Sequence, residues 1–169
     1  GPAIDDGARR ILEAHVERLA AEAVILERVT GPVGGHAFAP TLAEIPDAAF
    51  LSKEVFGPIL HVVRYDPARL AEAAAPLVEA RYGLTLGVHS RIEGFAEDVR
   101  RTVPAGNAYV NRSMIGAVVG VQPFGGEGLS GTGPKAGGPH ALLRYAVERV
   151  VSVNITAQGG DPALLNLDA

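Results

Sequence analysis

Apolar residues in the first twenty positions recur at the spacing of one helical stripe. Ala8, Ile11, Leu12, His15, Val16 and Leu19 share a face, and Arg9, Arg10, Glu13, Glu17 and Arg18 fill the other. Asp5 or Asp6 is placed to cap this helix, where a carboxylate suits the positive end of the dipole. Ala23–Val29 and Ala37–Leu42 read as strands split by Gly31, Pro32, Gly34 and Gly35. After Gly57–Pro58 the run Ile59, Leu60, Val62, Val63 predicts a buried strand. Asp66 as N-cap with Pro67 at the first helical position opens a helix that continues to about Ala80. Leu84–His89 is the next strand. Ile92–Val103 is a helix with Phe95, Val99 and Val103 on one stripe, closed by Pro104 and Gly106, and Ala108–Asn111 is a short strand. Pro139–Val147 reads as helical, and Val150–Ile155 alternates as a strand does. Alternating strands and helices with hydrophobic strand runs predict an α/β fold, three layers αβα around a mostly parallel sheet. Residues 1–157 form one unit, and 158–169 read as a tail that needs a partner for order.

Composition narrows this picture. The chain has 169 residues, 47% hydrophobic and 20% charged, which can bury a real core and excludes disorder. No apolar run approaches the roughly 18 residues of a membrane span. Fifteen basic against nineteen acidic residues, a net charge of −4, leave no footprint for nucleic acid or anionic lipid. No signal or transit segment is read at the start, so the cytoplasm is the expected compartment. There is no cysteine, which excludes a disulfide scaffold, a thiolate metal site and a cysteine nucleophile within this chain. Glycine is concentrated: residues 116–139 hold nine Gly and three Pro, so half of that stretch is backbone punctuation.

Candidate chemistry is sparse. Gly126-Glu-Gly128-Leu-Ser-Gly131 fits G-x-G-x-x-G, but that dinucleotide fingerprint needs a strand before it and a helix opening on it. Gln122–Pro123 precedes it and Thr132-Gly133-Pro134 follows, so a Rossmann loop is not expected. A P-loop fails as well, because Thr132 stands where Lys must meet phosphate. The five histidines, at 15, 36, 61, 89 and 140, have no metal-ligand spacing, and no metal site is expected. His15, on an apolar stripe, reads as a satisfied core or subunit-contact histidine. In Lys53-Glu54-Val55-Phe56-Gly57-Pro58, an extended backbone puts Glu54 and Phe56 on one side. A carboxylate beside a ring can accept hydrogen bonds from ribose hydroxyls and pack a flat heterocycle. A solvated Glu beside a core Phe is the plainer alternative. The glycine-rich stretch from Asn107 to Gly126 allows a backbone nest for a carboxylate or merely a tight turn, and composition does not choose between them.

Taken together, these segments resemble the aldehyde dehydrogenase superfamily. Glu54-Val-Phe56-Gly57-Pro58 is similar to its E-x-F-G-P signature, Gly1-Pro-Ala-Ile-Asp5 to its G-P-x-I-D segment, and Gln122-Pro-Phe124-Gly-Gly126 follows at the fitting separation. The stretch Gly116–His140 is similar to the L-glutamate γ-semialdehyde (Δ1-pyrroline-5-carboxylate) dehydrogenase module of bacterial proline utilization A proteins, which fuse proline dehydrogenase to this activity. The resemblance covers essentially the whole chain, as the C-terminal half of the module. It implies that Glu54 hydrogen-bonds the nicotinamide ribose of NAD with Phe56 packed beside it. Gly116 and Ala117 would hold the substrate's α-carboxylate through their backbone, and Phe124 would wall its aliphatic part. Ser113 would lie near this anchor with no role assigned. Val150–Ile155 would join the strand that family members use in subunit or flap contacts, so a homo-oligomer is expected.

The resemblance also implies what lies elsewhere. Aldehyde oxidation of this kind needs a thiolate to form a thiohemiacetal, donors for the oxyanion, a hydride acceptor and a base for water. The family's nucleophilic Cys, base Glu, oxyanion Asn and Rossmann half all precede the segment matching Gly1. This chain is therefore expected to supply no catalytic residue and to be inactive alone. FAD is expected only in an upstream proline dehydrogenase domain. The alternative is a catalytically inactive oligomerisation or scaffold module of the same fold.

Overall fold

A computed structural model describes residues 2–31, 34–155, 157 and 159. Gly1 and, apart from Gly159, the tail expected from residue 158 lie outside the described residues. Helix α1 spans Asp6–Glu22. Asp5, in extended geometry, accepts a hydrogen bond from the Ala8 N–H at 2.7 Å, and Asp6 sits in the first turn. Leu12, His15, Val16 and Leu19 of its predicted stripe are buried, whereas Ile11, placed on the same stripe, is 55% exposed. Strand β1 (Val24–Arg28) pairs antiparallel with β2 (Thr41–Glu44), and β2 pairs parallel with β3 (Ile59–Val62). The α1 stripe packs on this sheet in two clusters. Leu12, Val16 and Phe38 gather Val55 and Ile59, while Leu19, Ala43 and Ile45 gather Ile25 and Phe50.

The second half repeats the logic on a smaller scale. Asp66 accepts from the Ala68 N–H and caps a 3-10 turn at Pro67–Arg69 that runs into α2 (Leu70–Ala80). Short β4 (Tyr82–Gly83), then β5 (Thr85–Val88), α3 (Glu93–Thr102) and β6 (Asn107–Val110) follow, with β5 and β6 parallel. Val88, Ala96 and Val99 form their core with Leu70, Leu86 and Phe95. Strand β7 (Glu127–Gly128) returns from the glycine-rich stretch to pair antiparallel with β4.

The α/β class holds, with β2–β3 and β5–β6 parallel. Among the described residues the pairing is divided among three sheets, and two of the four strand pairs are antiparallel. Four elements differ from expectation. Strand β3, predicted to be buried, exposes Leu60 and leaves its other residues only half-buried. The strand placed at Ala37–Leu42 starts only at Thr41, after Pro40, which has no N–H to give a ladder. The Pro139–Val147 helix is a 3-10 turn at Ala141–Tyr145, too short to bury a stripe. Val150–Ile155 has no ladder partner among the described residues, and its Val151, Val153 and Ile155 are exposed. Among the described residues no helix is long and apolar enough to cross a membrane.

Candidate functional site

The segment between the 3-10 turn at Ala48–Phe50 and β3 is irregular, and packing rather than backbone pairing sets its course. Asp47 anchors its start by accepting from the Ala49 and Phe50 N–H groups at 2.9 and 3.3 Å. Val55 tucks into the Leu12–Val16–Phe38 cluster. Gly57 passes so close to α1 that a Cβ there would overlap the Leu12 methyl groups. With Val55 turned inward, Glu54 and Phe56 face out, and Phe56 is 88% exposed. Glu54 lines a cleft of about 590 Å³ together with Lys53, His61, Tyr82, Thr85 and Ser130. Phe56 stands outside that wall.

His61 of β3, in the wall of the cleft, shares a hydrogen bond with His15 of α1, Nε2 to Nε2, of 2.8 Å, with their rings edge to face at 5.1 Å. His15 is 8% exposed, as the apolar stripe predicts, but its partner lies 46 positions away and has no local signal. Phe50 meets the His15 ring edgewise, and the Arg18 guanidinium lies 4.0 Å over Phe50. Burial pushes both imidazoles below the ordinary histidine pKa. The positive charges of Arg18 and Lys53 add to this at His15, and the His15 charge does so at His61.

The glycine-rich stretch is held to β6 by one side chain. Asn107 donates from Nδ2 to the Pro123 carbonyl at 2.9 Å and accepts at Oδ1 from the Gly125 N–H at 3.2 Å. Lys135 donates to the Gly125 carbonyl at 2.6 Å, and Phe124 and Ala136 exchange both backbone bonds. Phe124 is half-buried. Glu127–Gly128 is strand and Ser130 N–H closes a turn onto the Glu127 carbonyl, so no helix opens on Gly131, as its neighbours predict.

Upstream of these anchors the chain leaves β6 through Asn111, at φ 55°, whose amide brackets Ser90: it accepts from the Ser90 N–H at 2.9 Å and donates to the Ser90 carbonyl at 2.8 Å. Ser113 accepts from the Ile115 N–H at 3.2 Å. Gly116 sits at φ +96°, where a side chain would be strained, and it and Ala117 are exposed. Among the described residues no hydrogen bond engages the N–H of either. Gly116, Ala117 and Phe124 do not line the Glu54 cleft; from the glycine-rich stretch only Leu129 and Ser130 do. Among the described residues no cluster of three or more His, Asp or Glu could hold a metal ion.

The comparisons with known proteins agree with one another. Residues 1–151 match the family model of the aldehyde dehydrogenase family. The chain is 45% identical over 177 positions to the bifunctional protein PutA of Escherichia coli strain K12, covering 100% of this chain and 13% of that protein. It is 38% identical over 159 positions to the 1-pyrroline-5-carboxylate dehydrogenase of Geobacillus thermodenitrificans, covering 90% of this chain and 30% of that one. Among solved structures it superposes on a variant of Bradyrhizobium japonicum proline utilization A with a TM-score of 0.84 and 54% identity, over 93% of this chain and 16% of that chain. Its TM-score against Thermus 1-pyrroline-5-carboxylate dehydrogenase with bound NAD is 0.69 at 38% identity, over 81% and 27%. The chain thus spans 13% to 30% of the length of these relatives.

Proposed function

The chain belongs to the aldehyde dehydrogenase family, and from that premise we propose that it is the C-terminal catalytic subdomain of an NAD-dependent L-glutamate γ-semialdehyde dehydrogenase. The complete protein would oxidise the semialdehyde to L-glutamate in proline catabolism, in the cytoplasm, as part of a bifunctional polypeptide whose proline dehydrogenase domain carries FAD. Residues 1–157 form the subdomain and 158–169 its tail. The observation that carries this reading is that Val55 and Gly57, committed to α1, turn Glu54 into the wall of the 590 Å³ cleft and leave Phe56 exposed outside it.

These residues fit NAD. An exposed carboxylate accepts hydrogen bonds from ribose hydroxyls, and an exposed ring offers a flat apolar face. NAD supplies the hydride acceptor when bound. Glu54 orients the ribose, and Phe56 packs against the nucleotide once the Rossmann half closes the cleft. The exposed N–H groups of Gly116 and Ala117, held open by the Gly116 conformation, suit the α-carboxylate of the substrate. Phe124, kept in place by its bridge to Ala136, walls the aliphatic chain. The Cys nucleophile, the base Glu and the oxyanion Asn come from the preceding part of the module. The apolar Val150–Ile155 segment finds its strand partner in a second subunit.

The test is the specificity of the complete enzyme. NADH formation from L-glutamate γ-semialdehyde is compared with that from an aldehyde of equal chain length lacking the α-carboxylate. Leaving the anchor donors unpaired lowers kcat/KM on the order of a hundredfold or more. Equal kcat/KM for the two aldehydes would overturn the anchor reading.

A further inference from the structure

The His15–His61 pair has no part in the chemistry described so far, yet it occupies the junction on which Glu54 depends. His61 and Glu54 line the same cleft. His15 belongs to the α1 face that holds the Glu54 segment from below, through Leu12 against Gly57 and through Leu12 and Val16 against Val55. The 2.8 Å bond is thus a polar tie between α1 and β3 within an otherwise apolar contact. We propose that the His15–His61 hydrogen bond is a positioning device for Glu54 that makes nucleotide binding sensitive to mild acid. This inference rests on the reading of Glu54 as the ribose ligand.

The proton inventory gives the direction. An N–H···N bond between imidazoles needs one donor and one bare acceptor nitrogen. A first proton can enter on the far nitrogen of the donor ring and leave the bond intact. A second places two N–H groups and two positive charges against each other at 2.8 Å, and the contact must open. The charged groups around the pair are Arg18 on α1 and Lys53 and Glu54 on the segment above. Phe50 presents only its ring, and Tyr82 lies across the cleft. Burial resists further protonation of both rings, and the charges of Arg18 and Lys53 oppose it at His15. Opening the tie removes the polar link between α1 and β3, while the apolar clusters still pack, and lets the Val55–Gly57 segment, and Glu54 with it, shift from the ribose position.

The experiment is a pH series of NAD+ Kd values by calorimetry on the complete enzyme, alongside KM and kcat, for the wild type, His61→Gln, His15→Gln and Glu54→Gln. Gln at either position can still accept a bond from the remaining imidazole at every protonation state. In the wild type Kd is expected to hold nearly constant above about pH 6.5, the ordinary histidine value, and to rise about tenfold as the pH falls below it. In both His→Gln variants that rise is expected to flatten. Glu54→Gln is expected to weaken binding at every pH. A wild-type rise that persists unchanged in both His→Gln variants, while Glu54→Gln weakens binding, would overturn the positioning role alone. Unchanged binding in Glu54→Gln would overturn the ribose reading itself.

Discussion

Glu54 and Phe56 face outward because Val55 between them and Gly57 beyond them are committed to α1. A short motif works here as a lever, since the apolar and small positions place the chemical ones. If Glu54 orients the ribose, Glu54→Gln in the complete enzyme removes the charge behind a charge-assisted bond. KM for NAD+ should rise roughly tenfold with a smaller change in KM for the aldehyde, as steady-state kinetics would show. The anchor separates the other way. Ala117→Pro deletes one of the two proposed donors, so KM for the semialdehyde should rise about tenfold or more while NAD+ affinity stays nearly unchanged. Equal damage to both ligands would discredit the assignment. The E-x-F-G-P residues could be read in the sequence, because an alternating extended segment declares its two sides. The His15–His61 contact could not be, because a bond across 46 positions leaves no periodicity.

Among the elements, those with a side-chain cap, a periodic stripe or a β-branched run are legible in the sequence. Asp5 and Asp66 cap where expected, and α1, α3, β3, β5 and β6 fall within a few residues of their predicted bounds. The two-residue strands β4 and β7 were hidden, because pairing so short depends on Arg81 and Gly128 turning back on each other and not on any apolar run. Val150–Ile155 shows the converse. Its alternation declares a face that needs covering, but alternation names no partner. The glycine-rich stretch owes its course to Asn107, so Asn107→Ala should cost about 1–3 kcal/mol through an unpaired Pro123 carbonyl and Gly125 N–H. Hydrogen exchange should then speed up across residues 118–138 while α1 keeps its protection. Gly57→Val should instead lower the melting temperature by several degrees, since two apolar groups would compete for the space beside buried Leu12.

For the molecule as a whole, the exposed apolar side chains matter most. Leu142, Tyr145, Val147, Val150 and Val151 stand in solvent, with Val147 91% exposed, and so do Ile115, Val119 and Val121 of the glycine-rich stretch. Surfaces of this kind mark interfaces. The isolated chain should therefore self-associate, with a mass by light scattering that grows with concentration, whereas Val147→Glu with Val151→Glu should keep it smaller. Among the described residues, Gly116, Ala117 and Phe124 do not line the cleft that Glu54 lines. The most direct measurement is NADH formation from L-glutamate γ-semialdehyde by this chain alone and by this chain mixed with the separately prepared preceding half of the module. The account predicts no NADH from the chain alone and NADH on mixing. NADH from the chain alone, or silence on mixing with both pieces shown folded by circular dichroism, would contradict it, and the latter result would favour an inactive scaffold.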